Sequence, residues 1–278
     1  DGTSSPYDFR TTPTLVIGGH TWASIEAGNR KTCGVTTAGD LYCWGSNAKG
    51  QLGHGTTTGK SVPTLVSGGY TWASIDAGRE HTCGVTTAGE AYCWGLNDKG
   101  RLGDGTTTDR NVPVLVTGGV TNWASVSGGN SHTCGMTTFG EGYCWGSNRY
   151  GQLGDGTTLG SVPLDEQSSV PVLVIGGLIW ASVRVGDWHS CGVTTVDEAY
   201  CWGANGGRLG GGTLENSSVP TLVSGGLTWA SVDGAVGHTC GVTTAGEEAY
   251  CWGSNANGRL GDGTTTNSSV PVKVGGNW

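Results

Sequence analysis

The sequence is poor in the side chains that usually fill a helical core. Only two Phe and one Met occur among 278 residues, and apolar residues make up 35%. No segment spaces its apolar residues three or four apart, and 54 Gly interrupt every candidate window, which disfavours a helical repeat. Twelve Trp and eight Tyr supply apolar bulk instead. Together with Gly, Thr and Val they favour short strands joined by tight turns.

Charge and long apolar runs are also scarce. Charged residues are 13% of the chain, and 14 Lys and Arg stand against 22 Asp and Glu, a net charge of −8. The basic residues are spread along the whole chain, so we expect no nucleic-acid partner. No apolar run approaches the roughly 18–20 residues of a membrane helix, so no membrane insertion is expected. The chain opens at Asp1, which suggests a processed chain or an excised fragment.

Motifs of the common enzyme classes are missing. The sequence has no Gly-x-Ser-x-Gly, no His-Glu-x-x-His and no phosphate-binding loop, and these carry acyl transfer, zinc hydrolysis and nucleotide chemistry. No pair of carboxylates recurs in a pocket-like setting. We therefore expect a protein that is not an enzyme, with no catalytic residue, no cofactor and no metal.

The chain does contain a sequence repeat that occurs five times. "CGVTTAGDLYCWGSNAKGQLG" (Cys33–Gly53) returns as "CGVTTAGEAYCWGLNDKGRLG" (Cys83–Gly103). The first cysteines stand at 33, 83, 134, 191 and 240, in steps of 50, 51, 57 and 49. The step of 57 is longer than the others because Ser-Val-Pro occurs twice within Ser161–Pro171. Self-similarity at this period indicates a propeller or a solenoid.

Each unit divides into four strand-like pieces. In the second they are Thr71–Gly78, His81–Thr87, Glu90–Gly95 and Val112–Val116, the last with Pro near its entry. Four short strands per unit of about fifty residues predict an all-β fold, a β-propeller of about five four-stranded blades. We expect one propeller domain over residues 1–278, with blades at about 22–66, 72–116, 123–174, 180–223 and 229–274.

One strand is left over by this division. Residues 11–21 read as a surplus outer strand without a blade, and the C-terminal "VPVKVGGNW" duplicates it. The surplus strand could close a five-bladed ring. Alternatively, the chain could come from a longer protein with more blades. A third alternative is pairing with a neighbouring copy, because exposed strand edges invite strand addition.

The ten cysteines carry the clearest chemical signal. In a hairpin centred on residue 38, Cys33 and Cys43 face each other, about 4.5–5.5 Å apart at Cα and within reach of a disulfide. The alternatives are reduced core thiols, or zinc, whose usual ligand spacings differ. Bridges in every blade would imply an oxidising compartment, so a secreted or cell-surface protein. The expected bridges are Cys33–Cys43, Cys83–Cys93, Cys134–Cys144, Cys191–Cys201 and Cys240–Cys251.

The stretch "HTCGVTTAGEAYCWGLNDKGRLGDGT" (His81–Thr106) resembles repeats of the regulator of chromosome condensation family. The matching features are His-Thr-Cys, Cys-Trp-Gly, the Asn and Gly-x-Leu-Gly, and the resemblance runs from about Thr12 to Trp278. The cysteine-paired form is similar to versions in secreted proteins. The resemblance implies a propeller, commonly of seven blades. It leaves function open, because members include exchange factors on chromatin, an ultraviolet photoreceptor and a secreted β-lactamase inhibitor. The excess of acidic residues disfavours an exchange factor on chromatin, and the lack of an extra Trp cluster disfavours a photoreceptor.

Two rings of side chains are candidate sites. The first ring consists of histidines two residues before the first cysteine of a repeat, and these could bind a metal. Lys31 takes this position in the first repeat, which favours the alternative that each histidine hydrogen-bonds backbone within its blade. The histidines are His81, His132, His189 and His238. If the Trp-Ala-Ser strand lines the axis, alternation gathers a second ring near a central channel. That ring is either a set of solvated charges or a site for a cation or polar ligand; it comprises Glu26, Asp76, Ser127, Arg184 and Asp233.

The loops carry turn signals and two glycosylation motifs. "GDGTTT" reads as turn chemistry, since a calcium loop would need more carboxylates. Asn216 and Asn267 each begin an Asn-Ser-Ser sequon in matching loops, so both are candidates for N-linked glycan. We expect an extracellular recognition or structural protein whose rigid blades display loops to a protein or glycan partner, or to copies of itself. The alternative is a secreted enzyme-inhibitor-like module.

Overall fold

The computed structural model describes residues 11–157 and 167–275. The described residues form five antiparallel four-stranded sheets, each built from four consecutive strands paired in chain order. The all-β propeller fold predicted from the repeat is confirmed. We number the sheets blade one to blade five along the chain. The first Ser-Val-Pro of the doubled element, like residues 1–10 and 276–278, lies outside the described residues.

The strands of the five blades have the following bounds. Blade one contains β1 (Trp22–Gly28), β2 (Lys31–Thr36), β3 (Leu41–Gly45) and β4 (Lys60–Leu65). Blade two contains β5 (Trp72–Asp76), β6 (His81–Thr86), β7 (Ala91–Gly95) and β8 (Arg110–Leu115). Blade three contains β9 (Trp123–Gly128), β10 (His132–Thr137), β11 (Gly142–Ser147) and β12 (Gln167–Leu173). Blade four contains β13 (Trp180–Val185), β14 (His189–Thr194), β15 (Ala199–Gly203) and β16 (Ser217–Leu222). Blade five contains β17 (Trp229–Gly234), β18 (His238–Thr243), β19 (Ala249–Gly253) and β20 (Ser268–Lys273).

Each blade is closed by the disulfide that the sequence predicts. Paired cysteines stand directly opposite in the register of the second and third strands. Their Cα atoms are 4.0–4.1 Å apart, slightly closer than the roughly 4.4–6.8 Å usual for a bridge. No cysteine is free. All five pairings are therefore confirmed.

The core of the molecule lies between blades. One face of each blade presents the disulfide with small aliphatic side chains, and the opposite face presents aromatic ones. At the first junction, Val35 and Leu41 of blade one meet Trp72, Ile75 and Trp94 of blade two. The other three junctions repeat this disulfide-against-tryptophan packing. Large side chains thus pack against small ones across each junction, as in the close-packed interiors of other proteins.

The part of the chain that the structure describes does not close into a complete ring of blades. Five blades make four such cores, and no core cluster joins blade five to blade one among the described residues. On the tryptophan face of blade one, Ile25 is 45% exposed, whereas its counterpart Ile75 in blade two is 7% exposed. On the disulfide face of blade five, Val242 is 37% exposed, whereas Val85 of blade two is 2% exposed. Within residues 11–157 and 167–275, both terminal faces thus lack the neighbouring blade that covers the internal ones.

The expected outer strand at residues 11–21 is wrong. These residues form no strand, and Leu15 is 88% exposed. A β-strand needs the edge of another strand to pair with. The outermost strand of blade one is already β4, and that of blade five is β20. The segment has strand-like sequence but no third strand to pair with, so it runs irregularly beside blade one.

Candidate functional site

The repeat's two most regular motifs meet at every blade junction. The carbonyl of Gln51, in the Gly-x-Leu-Gly loop of blade one, accepts hydrogen bonds from Trp94 Nε1 at 3.0 Å and Thr82 Oγ1 at 2.8 Å. Both donors belong to blade two. The carbonyls of Arg101, Gln152 and Arg208 accept the same pair of bonds from the next blade, at 2.8–3.0 Å. Buried donors and acceptors are thereby satisfied where the blades touch.

The last glycine of the same loop admits the neighbour's indole. A Cβ atom on Gly53 would lie 2.6 Å from Trp94 Nε1, and the φ of Gly53 is +75°. Both the space and the left-handed backbone exclude a side chain. The Gly-x-Leu-Gly and Cys-Trp-Gly motifs are therefore two halves of one docking joint.

The histidines also serve the junctions. His81 Nε2 lies 2.9 Å from Thr133 Oγ1 in the next blade. That hydroxyl gives its own proton to the Arg101 carbonyl, so it accepts from the ring and Nε2 carries the hydrogen. His132 and His189 make matching contacts of 2.9 Å with Ser190 and Thr239. The expectation of backbone bonds within each blade is wrong, because the ring points across the junction.

Burial keeps these rings neutral. The Nδ1 atoms of His81, His132 and His189 are buried without a hydrogen-bond partner. A proton there would be a buried, unpaired charge, and burial lowers the pKa of His132 and of His189 to about 3. In blade one, Lys31 Nζ donates instead to the carbonyl of Gly78 in blade two, and burial lowers its pKa to about 7.

The inner strands surround an axial cavity of about 380 Å³. Its lining includes all five residues proposed from strand alternation, namely Glu26, Asp76, Ser127, Arg184 and Asp233. Burial raises the pKa of each of the three acids, and Arg184 opposes this in every case. Asp76 Oδ2 accepts from Gly128 N at 3.0 Å. The described residues contain no group of His, Cys, Asp or Glu arranged to hold a metal ion.

A wider axial mouth opens at one end of the ring. Turns between the first and second strands of the blades line a cavity of about 600 Å³, mostly with Gly and Ala backbone. Because the strands alternate in direction, the loops between third and fourth strands emerge at the same end. We call this end the loop face. Arg79, Asp187 and Val236 line its mouth, so the entrance to the axis carries charges of both signs.

The loop face carries an aromatic cluster that sequence reasoning missed. The rings of Tyr150 and Trp188 meet edge to face, 5.8 Å between centroids, and the Arg149 guanidinium lies 5.6 Å from the Tyr150 ring. Arg149 is exposed, and the two rings are half-buried. The available signal was Trp188, which stands outside the two tryptophan positions of the repeat. Arg, Tyr and Trp are the side chains that most often dominate binding energy at interfaces.

The opposite end of the ring is acidic. The turns between second and third strands carry exposed or half-buried carboxylates in all five blades; they are Asp40, Glu90, Glu141, Asp197, Glu198, Glu247 and Glu248. In three blades a tyrosine hydroxyl donates to one of these carboxylates. Much of the net negative charge is thus concentrated on one face, so the two ends of the ring differ in electrostatic character.

The two sequon asparagines occupy equivalent loop positions. Asn216 Oδ1 accepts from Asn205 N at 2.8 Å, and Asn267 Oδ1 accepts from Asn255 N at 2.7 Å. Asp109 makes the same bond to Asn97 N in blade two. The side-chain oxygen therefore closes the loop, while both asparagines remain exposed. Glycosylation at Asn216 and Asn267 stays a prediction.

Known proteins share the repeat over only part of their length. A human protein named RCC1 domain-containing protein 1 is 35% identical over 79 residues, which is 28% of this chain and 19% of that protein. The Arabidopsis thaliana protein RUG3, described as mitochondrial, is 33% identical over 94 residues, 34% of this chain and 20% of its own. Within the described residues there is no helix able to traverse a bilayer.

The fold is also found among solved structures. Prp20p of Saccharomyces cerevisiae, whose crystal structure was described with its binding to Gsp1p and histones, superposes with a TM-score of 0.80. The match is 19% identical and covers 93% of this chain and 64% of that one. Models of the regulator of chromosome condensation (RCC1) repeat match residues 38–85, 88–136, 140–193 and 247–277, and a second model matches 22–51, 72–101 and 123–152. The chain belongs to the RCC1 repeat family and has its β-propeller fold.

Proposed function

We propose that this protein is an extracellular, non-enzymatic recognition module, which binds a protein or glycan partner through its loop face. The extracellular location is supported by the five disulfides, which persist in oxidising compartments. The binding role is supported by the fold family, in which Prp20p binds other proteins.

The mechanism is rigid display of loops. In blade one, Asn47 Oδ1 accepts from Leu52 N at 2.8 Å, and Asn47 Nδ2 donates to the carbonyls of Thr56 and Thr58. Equivalent asparagines organise the loops of the other blades. A loop fixed before binding loses less conformational entropy when it meets its partner. The varied residues lie between the fixed Asn and Leu, as in "NAKGQL" and "NRYGQL".

The observation that carries the proposal is the Arg149–Tyr150–Trp188 cluster on the loop face. Two rigid rings and a guanidinium offer apolar area with directional hydrogen bonding, which suits a protein surface or the face of a sugar ring. The test replaces Trp188 with a photo-crosslinking amino acid and illuminates the protein in the extracellular fluid of its source. We expect one discrete cross-linked product. The matched control places the probe at Leu65, an exposed outer-edge position.

Two outcomes would count against this role. Equal labelling from the Trp188 and Leu65 probes would remove the loop face as the binding surface. Recovery of the native protein in the cytosol with free thiols would remove the extracellular assignment. Self-assembly through the end segments is part of the same proposal, because residues 11–21 and β20 are strand-like in sequence at the two ends. A single monomeric species in sedimentation at high concentration would exclude self-assembly.

The second candidate is a secreted enzyme-inhibitor-like module. It is favoured by the same aromatic cluster, since a rigid ring of loops is able to plug a cleft with Tyr150 and Trp188. Inhibition assays against secreted hydrolases, with and without the double change Tyr150→Ala and Trp188→Ala, distinguish the two roles. Loss of inhibition in the double variant supports the inhibitor, whereas an absence of inhibition at any concentration removes it.

A further inference from the structure

The linker from blade two to blade three is one residue longer than its counterparts. It runs over residues 116–122 between β8 and β9, whereas residues 66–71, 174–179 and 223–228 join the other blades. The extra residue appears in the sequence as Asn122, directly before the Trp-Ala-Ser strand of blade three. Asn122 has a φ of +61°, a left-handed conformation that asparagine tolerates better than most residues. The linker thus contains a left-handed residue other than glycine, which the three other linkers lack.

The longer linker follows a different course. In the linkers to blades two, four and five, a Cβ atom added to the first glycine would have the side chain two residues further on as its nearest neighbour, namely Tyr70, Leu178 or Leu227. For Gly118, the first glycine of the longer linker, the nearest neighbour would be Pro171 Cδ, at 3.2 Å. This part of the linker therefore lies against β12, the outer strand of blade three.

The altered course leaves space above the hairpin turn of blade two. In blade three, a Cβ atom added to the turn glycine Gly140 would lie 2.7 Å from Ile179 Cγ2, and in blade one the turn glycine meets a methyl group of Thr71 in the same way, at 2.5 Å. A side chain of the next linker thus fills the space above both turns. Above Gly89 of blade two the nearest atom would be the backbone Cα of Asn122, 3.5 Å away. No methyl group takes that place here.

A pocket of about 470 Å³ occupies this space. Ala91, Val116 and Trp123 line it and are almost fully buried, so they form its floor, whereas Leu115 and Glu90 line it and are exposed, so they form its rim. The volume is that of a site for a small organic molecule. Blades two and three, which frame the pocket, each have both neighbouring blades in place, so a further blade at either end of the chain would not cover it.

The pocket combines apolar walls with negative charge. The described residues that line it include Glu90 but no Lys, Arg or His. The Tyr92 hydroxyl donates to Glu90 Oε2 at 3.3 Å, which holds the carboxylate in place. Asp40 and Glu141, in the turns of the neighbouring blades, add negative charge at the same end of the ring. A positively charged occupant is therefore favoured over a neutral or anionic one of the same shape.

We propose that this pocket binds a small organic amine with an apolar, ring-sized body. The body packs on Ala91, Val116 and Trp123, and the ammonium group pairs with the Glu90 carboxylate at the rim. The site goes beyond the proposed recognition role, because it lies at the acidic end of the ring, opposite the loop face. One ion pair at an exposed rim adds little affinity, so a ligand of about ten heavy atoms should bind with a dissociation constant in the millimolar range.

The probe is phenethylamine, and the neutral 2-phenylethanol and the anionic 3-phenylpropionate are its matched comparisons. Binding to the ¹⁵N-labelled full chain is followed at the backbone amide resonances of Gly89 and Gly118, with that of Gly140 as the internal reference. We expect saturable shifts with phenethylamine at a dissociation constant of about 1 mM. 2-Phenylethanol should bind about fivefold more weakly, the fold-change for one exposed ion pair. 3-Phenylpropionate should give no saturable shift up to about 10 mM.

Three variants separate the shape of the pocket from its charge. Deletion of Asn122 gives the linker the length of its counterparts and places Thr121 where Thr71 stands before blade two, so the shifts should disappear. Asn122→Gly is the matched control, because it keeps both the length and the left-handed backbone; it should bind phenethylamine as the wild type does. Glu90→Gln should weaken phenethylamine binding about fivefold and leave 2-phenylethanol binding unchanged.

Three results would overturn the inference. They are no saturable shift at Gly89 with phenethylamine, equal affinities for phenethylamine and 2-phenylethanol, and undiminished binding after deletion of Asn122. Displacement of phenethylamine by the peptide Gly-Lys-Phe-Lys-Gly at an about hundredfold lower concentration would assign the pocket to a protein segment and would overturn the small-molecule ligand. Cross-linking from Trp188 probes the other end of the ring, so failure here leaves the loop-face proposal standing.

Discussion

Acid should weaken the blade junctions through their neutral histidines. The perturbation is a fall from pH 7 to about pH 4.5, compared between the wild type and the variant His132→Gln. Burial lowers the pKa of His132 and of His189 from 6.5 to about 3. Between these two pKa values, both imidazoles are therefore protonated in the unfolded chain and neutral in the folded chain. The stabilising contribution is complete above pH 6.5 and is lost progressively as the pH falls towards 3.

The magnitude follows from the size of the pKa shift. For each imidazole, the free energy of unfolding should fall by about 1.4 kcal/mol for every pH unit below the pKa of that histidine in the unfolded chain. At about pH 4.5 the two rings together should remove about 5 kcal/mol, a large share of a typical domain's stability. A glutamine at 132 keeps a donor for Ser190 Oγ but does not titrate. It should therefore reduce the acid slope by about 1.4 kcal/mol per unit.

Urea unfolding followed by tryptophan fluorescence measures this slope at several pH values. His238→Gln is the matched control, because His238 holds the same repeat position but is only half-buried and contacts no following blade among the described residues, so the four described junctions remain intact. An unchanged acid slope in His132→Gln would refute the reasoning and would show that carboxylate protonation alone governs acid stability.

Three further predictions test the joints, the bridges and the axis. Gly103→Ala should lower the unfolding free energy by at least about 2 kcal/mol, because the added Cβ would lie 2.8 Å from Trp145 Nε1. Gly105→Ala is the control in the same urea assay. It should cost clearly less, because Gly105 also has positive φ but the nearest atom to its Cβ would be 3.7 Å away. Replacing Cys134 and Cys144 by Ser should lower the unfolding free energy by about 2–3 kcal/mol, with the other four bridges intact by mass; no loss would mean that the bridge adds nothing to the hairpin. Millimolar Ca²⁺ should leave the melting temperature unchanged, because Arg184 lies among the axial acids; a rise that is lost in Asp76→Asn would make the axis a cation site.

The sequence predicted the features that depend on pairing within a repeat. Strand order, hairpin register and the bridges follow from a spacing of ten between paired cysteines such as Cys83 and Cys93, or of eleven between Cys240 and Cys251, because a two-stranded hairpin is formed by residues close together in the chain. It also named the axial residues that line one cavity, since alternation along β1 and β5 is a property of any strand. Whether those residues bind a ligand stays a prediction.

Features that depend on contacts between repeats were missed. The ring of His81 bonds a hydroxyl 52 positions along the chain, and no local pattern indicates which blade it faces. Residues 11–21 have a strand's sequence, but a strand also requires a free edge, which only the assembled ring decides. The Tyr150–Trp188 pair likewise joins two loops of different blades.

The central claim is that five blades, each closed by its own bridge, form a module suited to an oxidising compartment. Peptide mapping of the native, unreduced protein by mass spectrometry tests this most directly. The account predicts five linked pairs, from Cys33–Cys43 to Cys240–Cys251, and no alkylatable thiol. Free thiols in freshly isolated protein, or links between cysteines of different blades, would contradict it.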